Sequence, residues 1–414
     1  MLRTRGKLEE IEEQILAPYA VLSKNARHQY REPPPKNRTY FQRDWHRITH
    51  CEAYRRLDSK TQVFPFGEGD DASRDRLSHT LEVVQIATSL ASVLGANEDL
   101  VRAIALAHDL GHTPFGHVGE NILNTLLKKW GGFDHNRQSL KVITQLEVRY
   151  PQFPGLNLST EVLDGIQRHS TEYDKSSTHL LYFKNYQKPS LEGQIVSLAD
   201  IIAFRSHDLE DGINMGILKE PREKRELERL TLLREISAEI NPILKKLRYK
   251  EDYDRVQKAQ QARYLINFLI TDVLNETQRR IKRFEVNSPL AVRKAPEDIV
   301  SFSKGMEKKL DQLKKYLEKN FYQNFKILQM TKKGKDIIAS LFETYNKNPE
   351  ILPGGIQIEI KKRGQMKRKK EEKVSRREET KIRNIVIADY IAGMTDRYAI
   401  EQYQKIFEIG KPVL

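Results

Sequence analysis

Apolar residues recur along most of the chain at spacings of three and four, the period of helices that bury one face. A first short helix is expected over residues 6–16. Residues 25–38 are polar and include Pro33, Pro34 and Pro35, so that stretch cannot be regular helix and should run over the surface or onto a neighbouring subunit. Residues 41–60 return to helical spacing, and Thr61, Gln62, Val63 and Phe64 look extended, able to pair with a second short strand. An acidic, glycine-containing loop, residues 67–75, leads to Ser78, which can cap a helix ended by Gly95. In that helix Leu81, Val84, Ala87 or Thr88, and Ala91 share the apolar face. Further helices are expected over residues 118–129, 137–148, 158–169 and 191–211, with three or four more between 221 and 348. Ile356, Ile358 and Ile360 alternate with polar residues and predict another short strand, followed by a closing helix over 384–407. The expectation is an all-α fold with two minor β-ribbons, near Gln62 and at residues 356–360.

Composition changes this picture in three places. The 414 residues can bury a large core or divide into two domains. No run of about 18 apolar residues predicts a membrane span, and the start of the chain is amphipathic, unlike a signal peptide. Cys51 is the single cysteine, so no intrachain disulfide can form and a cytoplasmic location is expected. Lys and Arg number 71 against 57 Asp and Glu, a net charge of +14 that suits polyanionic partners. Eleven of those bases fall in residues 361–381 with four glutamates, which reads first as a solvated, mobile insertion and only second as a nucleic-acid contact.

The densest chemistry lies in HDLGHTPFGHVGE, residues 108–120. An apolar run, residues 100–107, brings His108 and Asp109 to a helix C-terminus, where two adjacent polar side chains both need partners. A divalent cation satisfies both at once. His79, early in its helix, and Asp200, set among Ile195, Val196, Leu198, Ile201 and Ile202, complete a candidate set of two imidazoles and two carboxylates. A naked carboxylate in such apolar company is costly. Taken singly, each is more simply a core histidine or a capping aspartate. Together they suit Mn, Mg, Fe, Co or Ni better than a closed structural zinc.

His79, His108-Asp109 and Asp200 resemble the H…HD…D signature of HD-domain phosphohydrolases. Seven ordered blocks resemble, more specifically, the deoxyguanosinetriphosphate triphosphohydrolase-like family: FQRDWHRITHCEAYRRLDSKTQVFP, SRDRLSHTLEV, LAHDLGHTPFGHVGE, FDHNRQSLKVI, LNLSTEVLDGI, HDLEDG and DYIAGMTDRYA. They span residues 41–398 and imply a helical HD-domain fold. On that basis residues 1–40 would be an N-terminal helix and arm, 41–220 the metal-binding catalytic core, and 221–414 a C-terminal helical region packed on it.

The resemblance implies metal-dependent hydrolysis of dGTP or other dNTPs to deoxynucleoside and tripolyphosphate by water attack at the α-phosphorus. His117 and Glu120, three apart on one helix face, match the family's catalytic histidine and its carboxylate partner. Glu120 read alone could equally be a first-turn carboxylate facing the helix dipole. Arg76 matches a phosphate-binding arginine, His112 and His135 match histidines near the triphosphate, and Asp208 matches a sugar-contacting aspartate. Phe204 stands where the family usually has a tyrosine stacked on the deoxyribose, and Thr113 where it usually has proline. The resemblance further implies a homo-oligomer, tetramer or hexamer, with single-stranded DNA or a dNTP as a possible effector and no membrane partner. Two other classes remain open at this point. One is a different HD enzyme, a 5′-nucleotidase or an alarmone or cyclic-nucleotide phosphodiesterase. The other is a non-catalytic nucleotide- or nucleic-acid-binding protein.

Overall fold

The computed structural model describes residues 2–62, 74–170, 182–247, 250–370 and 375–408. The helices that matter to the site are α1 (Arg5–Ile15), α2 (Tyr40–Thr49), α3 (Arg76–Leu94), α4 (Glu98–Ala107), α5 (His117–Leu126), α6 (His135–Lys141), α7 (Thr160–Gln167) and α8 (Leu191–Asn214). They are followed by α9 (Tyr253–Arg283), α10 (Phe325–Lys347), α11 (Gly354–Lys370), α12 (Arg376–Ala392) and α13 (Asp396–Phe407). Helices α3, α4 and α8 pack on one another, with α2 against α4 and α9 against α8. The largest apolar cluster lies among them, and α3 contributes Val83, Ile86, Ala87, Leu90, Ala91 and Leu94. Leu81, expected on that face, is 50% exposed, and Val84 is only partly buried. The face is turned instead so that Arg76, His79 and Thr80 are buried. Asp75, not Ser78, caps α3; Ser78 returns a hydrogen bond at the third position, closing a capping box. By length and composition α3 could cross a membrane. Its apolar side is occupied here by α4 and α8.

A second cluster joins α5 to the C-terminal helices through Phe115, Leu123, Ile338, Leu341, Ile387 and Ile391. The helix that begins at His117 is therefore seated on α10.

The fold is all-α, as expected, but neither β-ribbon is present among the described residues. Near Gln62 there is one isolated bridge, Thr61 to Asp75, while Val63, Phe64 and most of the acidic loop lie outside the described residues. Residues 355–360 are helical, part of α11. Alternation at 356, 358 and 360 misled because positions four apart also share a helix face. Ile356 and Ile360 pack on the second cluster, whereas Ile358 is 65% exposed. The basic stretch continues α11 and opens α12, and two of its arginines face acidic partners: Arg363 with Glu359 and Asp389, Arg368 with Glu379. The closing helix is two helices, α12 and α13, broken at Gly393 and Met394 with Thr395 capping the second.

The segment between α4 and α6 tolerates no added carbon at Gly111. A Cβ there would lie 2.2 Å from Ser139 N and 2.3 Å from His135 O, both backbone atoms of α6. Gly111 N donates to Ser139 Oγ (2.8 Å), and that hydroxyl donates to His108 O (2.8 Å). Gly111→Ala must push α6 away from the His108 carbonyl, and the expected cost is about 3 kcal/mol, the upper end for overpacking. Chemical denaturation of the two proteins checks this; an unchanged midpoint refutes it.

Candidate metal and acid–base site

His108 follows the last turn of α4, and its Nδ1 lies 2.6 Å from Ala105 O. Donation to that carbonyl leaves the lone pair on Nε2, which is buried and has no hydrogen-bond partner. Such an unmet acceptor costs about 1–3 kcal/mol. Around it stand Asp109 Oδ1 at 3.4 Å and Asp200 Oδ1 at 3.9 Å. His79 Nε2 lies 3.0 Å from Asp200 Oδ1 and 4.0 Å from Asp109 Oδ2. His79, His108 and Asp109 each present a ligand atom within 4.8 Å of the others. The four residues thus converge from α3, the end of α4 and the middle of α8. Two imidazoles, two carboxylates and an orphaned lone pair fit a divalent cation.

Burial alone would raise both carboxyls. At Asp200, hydrogen bonds with His169 and His79 outweigh it and hold the group well below the usual carboxylate range. At Asp109 the Arg76 guanidinium and the hydrogen bond with His112 do the same. Both are therefore anionic at neutral pH, as ligands must be.

Arg76 is buried, and its Nη1 pairs with Asp109 Oδ2 at 2.8 Å. The guanidinium expected at a phosphate lies directly behind a metal-set carboxylate. Gly116 approaches it closely: with φ +57°, its added Cβ would stand 3.1 Å from Arg76 Nη2. Two histidines that sequence reasoning passed over support the set from behind. His169 Nε2 is 3.2 Å from Asp200 Oδ2, and His207 Nδ1 is 3.3 Å from His79 Nδ1, with His207 in turn held by Glu82. His207 was within reach of the pattern. Seven residues beyond Asp200 is close to two full turns, so the two share a face of α8.

Next to this set, His112, His117, Glu120 and His135 form a second group whose ligand-type atoms lie within 4.8 Å of one another. Glu120 is its hub. Its Oε2 is 3.2 Å from His117 Nδ1 and 3.0 Å from His135 Nδ1, while Oε1 accepts the His135 backbone N–H at 2.9 Å. Burial would raise the Glu120 carboxyl, but hydrogen bonds with His117 and His135 dominate and push it far down. The His117 side chain is 40% exposed, the most open of the group's histidines. His112 stacks on His135 at 4.0 Å and links the two groups through its Nε2, 3.2 Å from Asp109 Oδ1.

The turn carrying His117 is fastened to the C-terminal helices. Asp396 Oδ1 accepts Phe115 N at 3.0 Å, and its Oδ2 accepts Thr61 N at 3.1 Å and the Thr61 hydroxyl. Buried Lys60 donates to the carbonyls of His112 (2.5 Å) and Ala392 (2.8 Å). Desolvation pulls the Lys60 ammonium down to about 7. Neither residue was singled out from sequence, because each acts across more than 50 residues of chain.

Phe204 is partly buried one turn beyond Asp200, with Arg205 over its ring at 5.9 Å. Asp208, expected on the same face as Asp200, is eight positions on, about 80° round the helix. Its Oδ2 accepts the Tyr322 hydroxyl at 2.5 Å, and its Oδ1 is buried without a partner. Tyr322 is a further residue the sequence did not announce.

Burial pushes the Asp208 carboxyl up to about 7. An acid whose folded pKa lies above its unfolded one holds a proton in the native state only, so its stabilisation is complete below about pH 4 and lost as pH rises through about 7. Asp208→Asn keeps an acceptor for Tyr322 and cannot ionise. From pH 5 to pH 8 the stability of the variant relative to the parent should rise by about 3 kcal/mol at most. Thermal melts across that range test it; parallel curves for the two proteins count against it.

Comparison with known proteins agrees with this geometry. A family model described as HD domain matches residues 76–205, and one described as phosphohydrolase-associated domain matches residues 300–405. A deoxyguanosinetriphosphate triphosphohydrolase-like protein of Geobacter sulfurreducens is 40% identical over 402 residues, covering 97% of each chain. Proteins of the same description from Syntrophus aciditrophicus and Leptospira interrogans are each 40% identical as well. The first alignment spans 100% of this chain and 99% of the relative, the second 98% and 100%.

Proposed function

Since the chain belongs to the deoxyguanosinetriphosphate triphosphohydrolase-like family of HD-domain hydrolases, we propose that it hydrolyses deoxynucleoside triphosphates to deoxynucleoside and tripolyphosphate. The observation that carries this reading is the contact between the two side-chain groups. A donor set suited to a divalent cation adjoins a half-open histidine held on an ionised carboxylate, and His112 joins them. His79, His108, Asp109 and Asp200 would hold the cation, of the Mn, Mg, Fe, Co or Ni class. When bound it supplies Lewis-acid polarisation of a phosphoryl oxygen.

The chain's own residues do the rest. His117 exchanges a proton with water or with the departing 5′-oxygen, and Glu120 holds its Nδ1 and stabilises the positive charge the ring gains on taking that proton. Arg76 offsets negative charge beside Asp109, in reach of a phosphate arriving there. The partnerless Oδ1 of Asp208 is an acceptor waiting for a sugar hydroxyl, and Phe204 offers a ring for the sugar's apolar face.

Water adds at the α-phosphorus and the bond from that phosphorus to O5′ breaks, so the proton taken from water replaces the phosphorus on O5′. Incubation of the protein with each dNTP and Mn²⁺ in ¹⁸O-water should give tripolyphosphate bearing the label. Pyrophosphate or orthophosphate as the first product, or label in the nucleoside, overturns the reading.

A further inference from the structure

We propose that His112, His117, Glu120 and His135 form a second cation site, selective for zinc, and that its occupation silences the enzyme. The donor set is three imidazoles and one carboxylate, against two and two in the first site. Imidazole-rich sites favour Zn²⁺, and a tetrahedral ion with bonds of about 2.05 Å places its ligand atoms about 3.3 Å apart. The distances already approach that edge length: Glu120 Oε2 is 3.2 Å from His117 Nδ1 and 3.0 Å from His135 Nδ1. The other Glu120 oxygen is tied by the His135 backbone N–H, which fixes the carboxylate's orientation.

An independent observation points to the same ion. His112 is 2% exposed, its Nε2 faces Asp109 Oδ1 at 3.2 Å, and its Nδ1 is buried with no hydrogen-bond partner. Donating Nε2–H to a carboxylate leaves the Nδ1 lone pair free for a metal. A carboxylate behind a ligating histidine is the usual way such a ring is oriented. Each of the four residues offers a ligand-type atom within 4.8 Å of the others, and closing on one ion requires His112 to turn out of its 4.0 Å stack on His135.

The silencing rests on the proposed role of His117, since a coordinated imidazole and carboxylate cannot exchange protons with water or a leaving group. The site itself does not rest on it. The full-length protein, stripped of metal and titrated with Zn²⁺ alone, should bind two equivalents per chain by calorimetry and by elemental analysis after desalting. His135→Gln and Glu120→Gln should each bind one, and His79→Ala should bind one with the three-histidine site intact. In the Mn²⁺-loaded wild type, Zn²⁺ sufficient to fill the second site should lower turnover more than tenfold, reversibly on mild chelation. One equivalent in the wild type, or two in His135→Gln, overturns the site; full turnover with the second equivalent bound overturns the silencing. Retention of one equivalent and a cooperative melt show that each variant has folded. If no dNTP is hydrolysed at all, the stoichiometry still decides the site, separately from the proposed reaction.

Discussion

Asp200→Ala is expected to abolish hydrolysis and to strip the divalent cation from the first site. Asp200 sits in the middle of α8, where the neighbouring residues of the helix are almost all apolar. Its two oxygens lie 3.0 Å from His79 Nε2 and 3.2 Å from His169 Nε2, and those hydrogen bonds keep it ionised. Truncation removes one of the proposed ligands and leaves His169 without its carboxylate and His79 without its nearest anion. Loss of a group that merely orients a ligand costs about 10–100-fold in metal affinity or activity. Loss of the ligand itself should exceed that upper figure. His169→Gln, which disturbs only the support, should fall inside the range. Metal content measured beside turnover separates the two, and a variant of Asp200 that keeps a full equivalent of Mn²⁺ at the first site would refute the assignment.

Much of this candidate site is visible along the chain because its proposed ligands sit where helix grammar makes polar residues conspicuous. His79 occupies the first turn of a capped helix, His108 and Asp109 follow an apolar run, and Asp200 interrupts another. A carboxylate in such a run needs a partner, and that requirement can be read without coordinates. His169, Tyr322, Lys60 and Asp396 are different. Each lies in unremarkable local sequence and gains its role from a contact with a distant segment: His169 with Asp200, Tyr322 with Asp208, Asp396 with Phe115. Errors of element arose where two periods agree over a short span. Ile356 and Ile360 fit strand and helix alike, and the Glu359–Arg363 pair four residues apart, with packing on α12, decides for helix. Ser78 was a plausible cap by residue type, but Asp75 lies one turn earlier with its side chain on Ser78 N at 2.7 Å.

His117→Ala is expected to lower turnover by about 10²–10⁴-fold, the usual worth of a positioned acid or base, with the metal content of the first site unchanged. The anchor of His117 is Glu120, 3.2 Å away. Metal retention with lost turnover is therefore the signature that separates it from Asp200. Glu120→Gln should reproduce most of the loss, because a neutral amide can hold the ring but cannot stabilise its positive charge. Glu120 also holds His135 by side chain and backbone, so its replacement disturbs more than His117 does. If the two act as a unit, the double variant His117→Ala/Glu120→Gln should be little worse than His117→Ala alone, since the carboxylate has nothing left to polarise. Additive losses would mean that Glu120 works on the substrate or on His135 independently. Undiminished turnover in His117→Ala would move the proton-handling role to His112 or His135, the neighbouring imidazoles of the cluster.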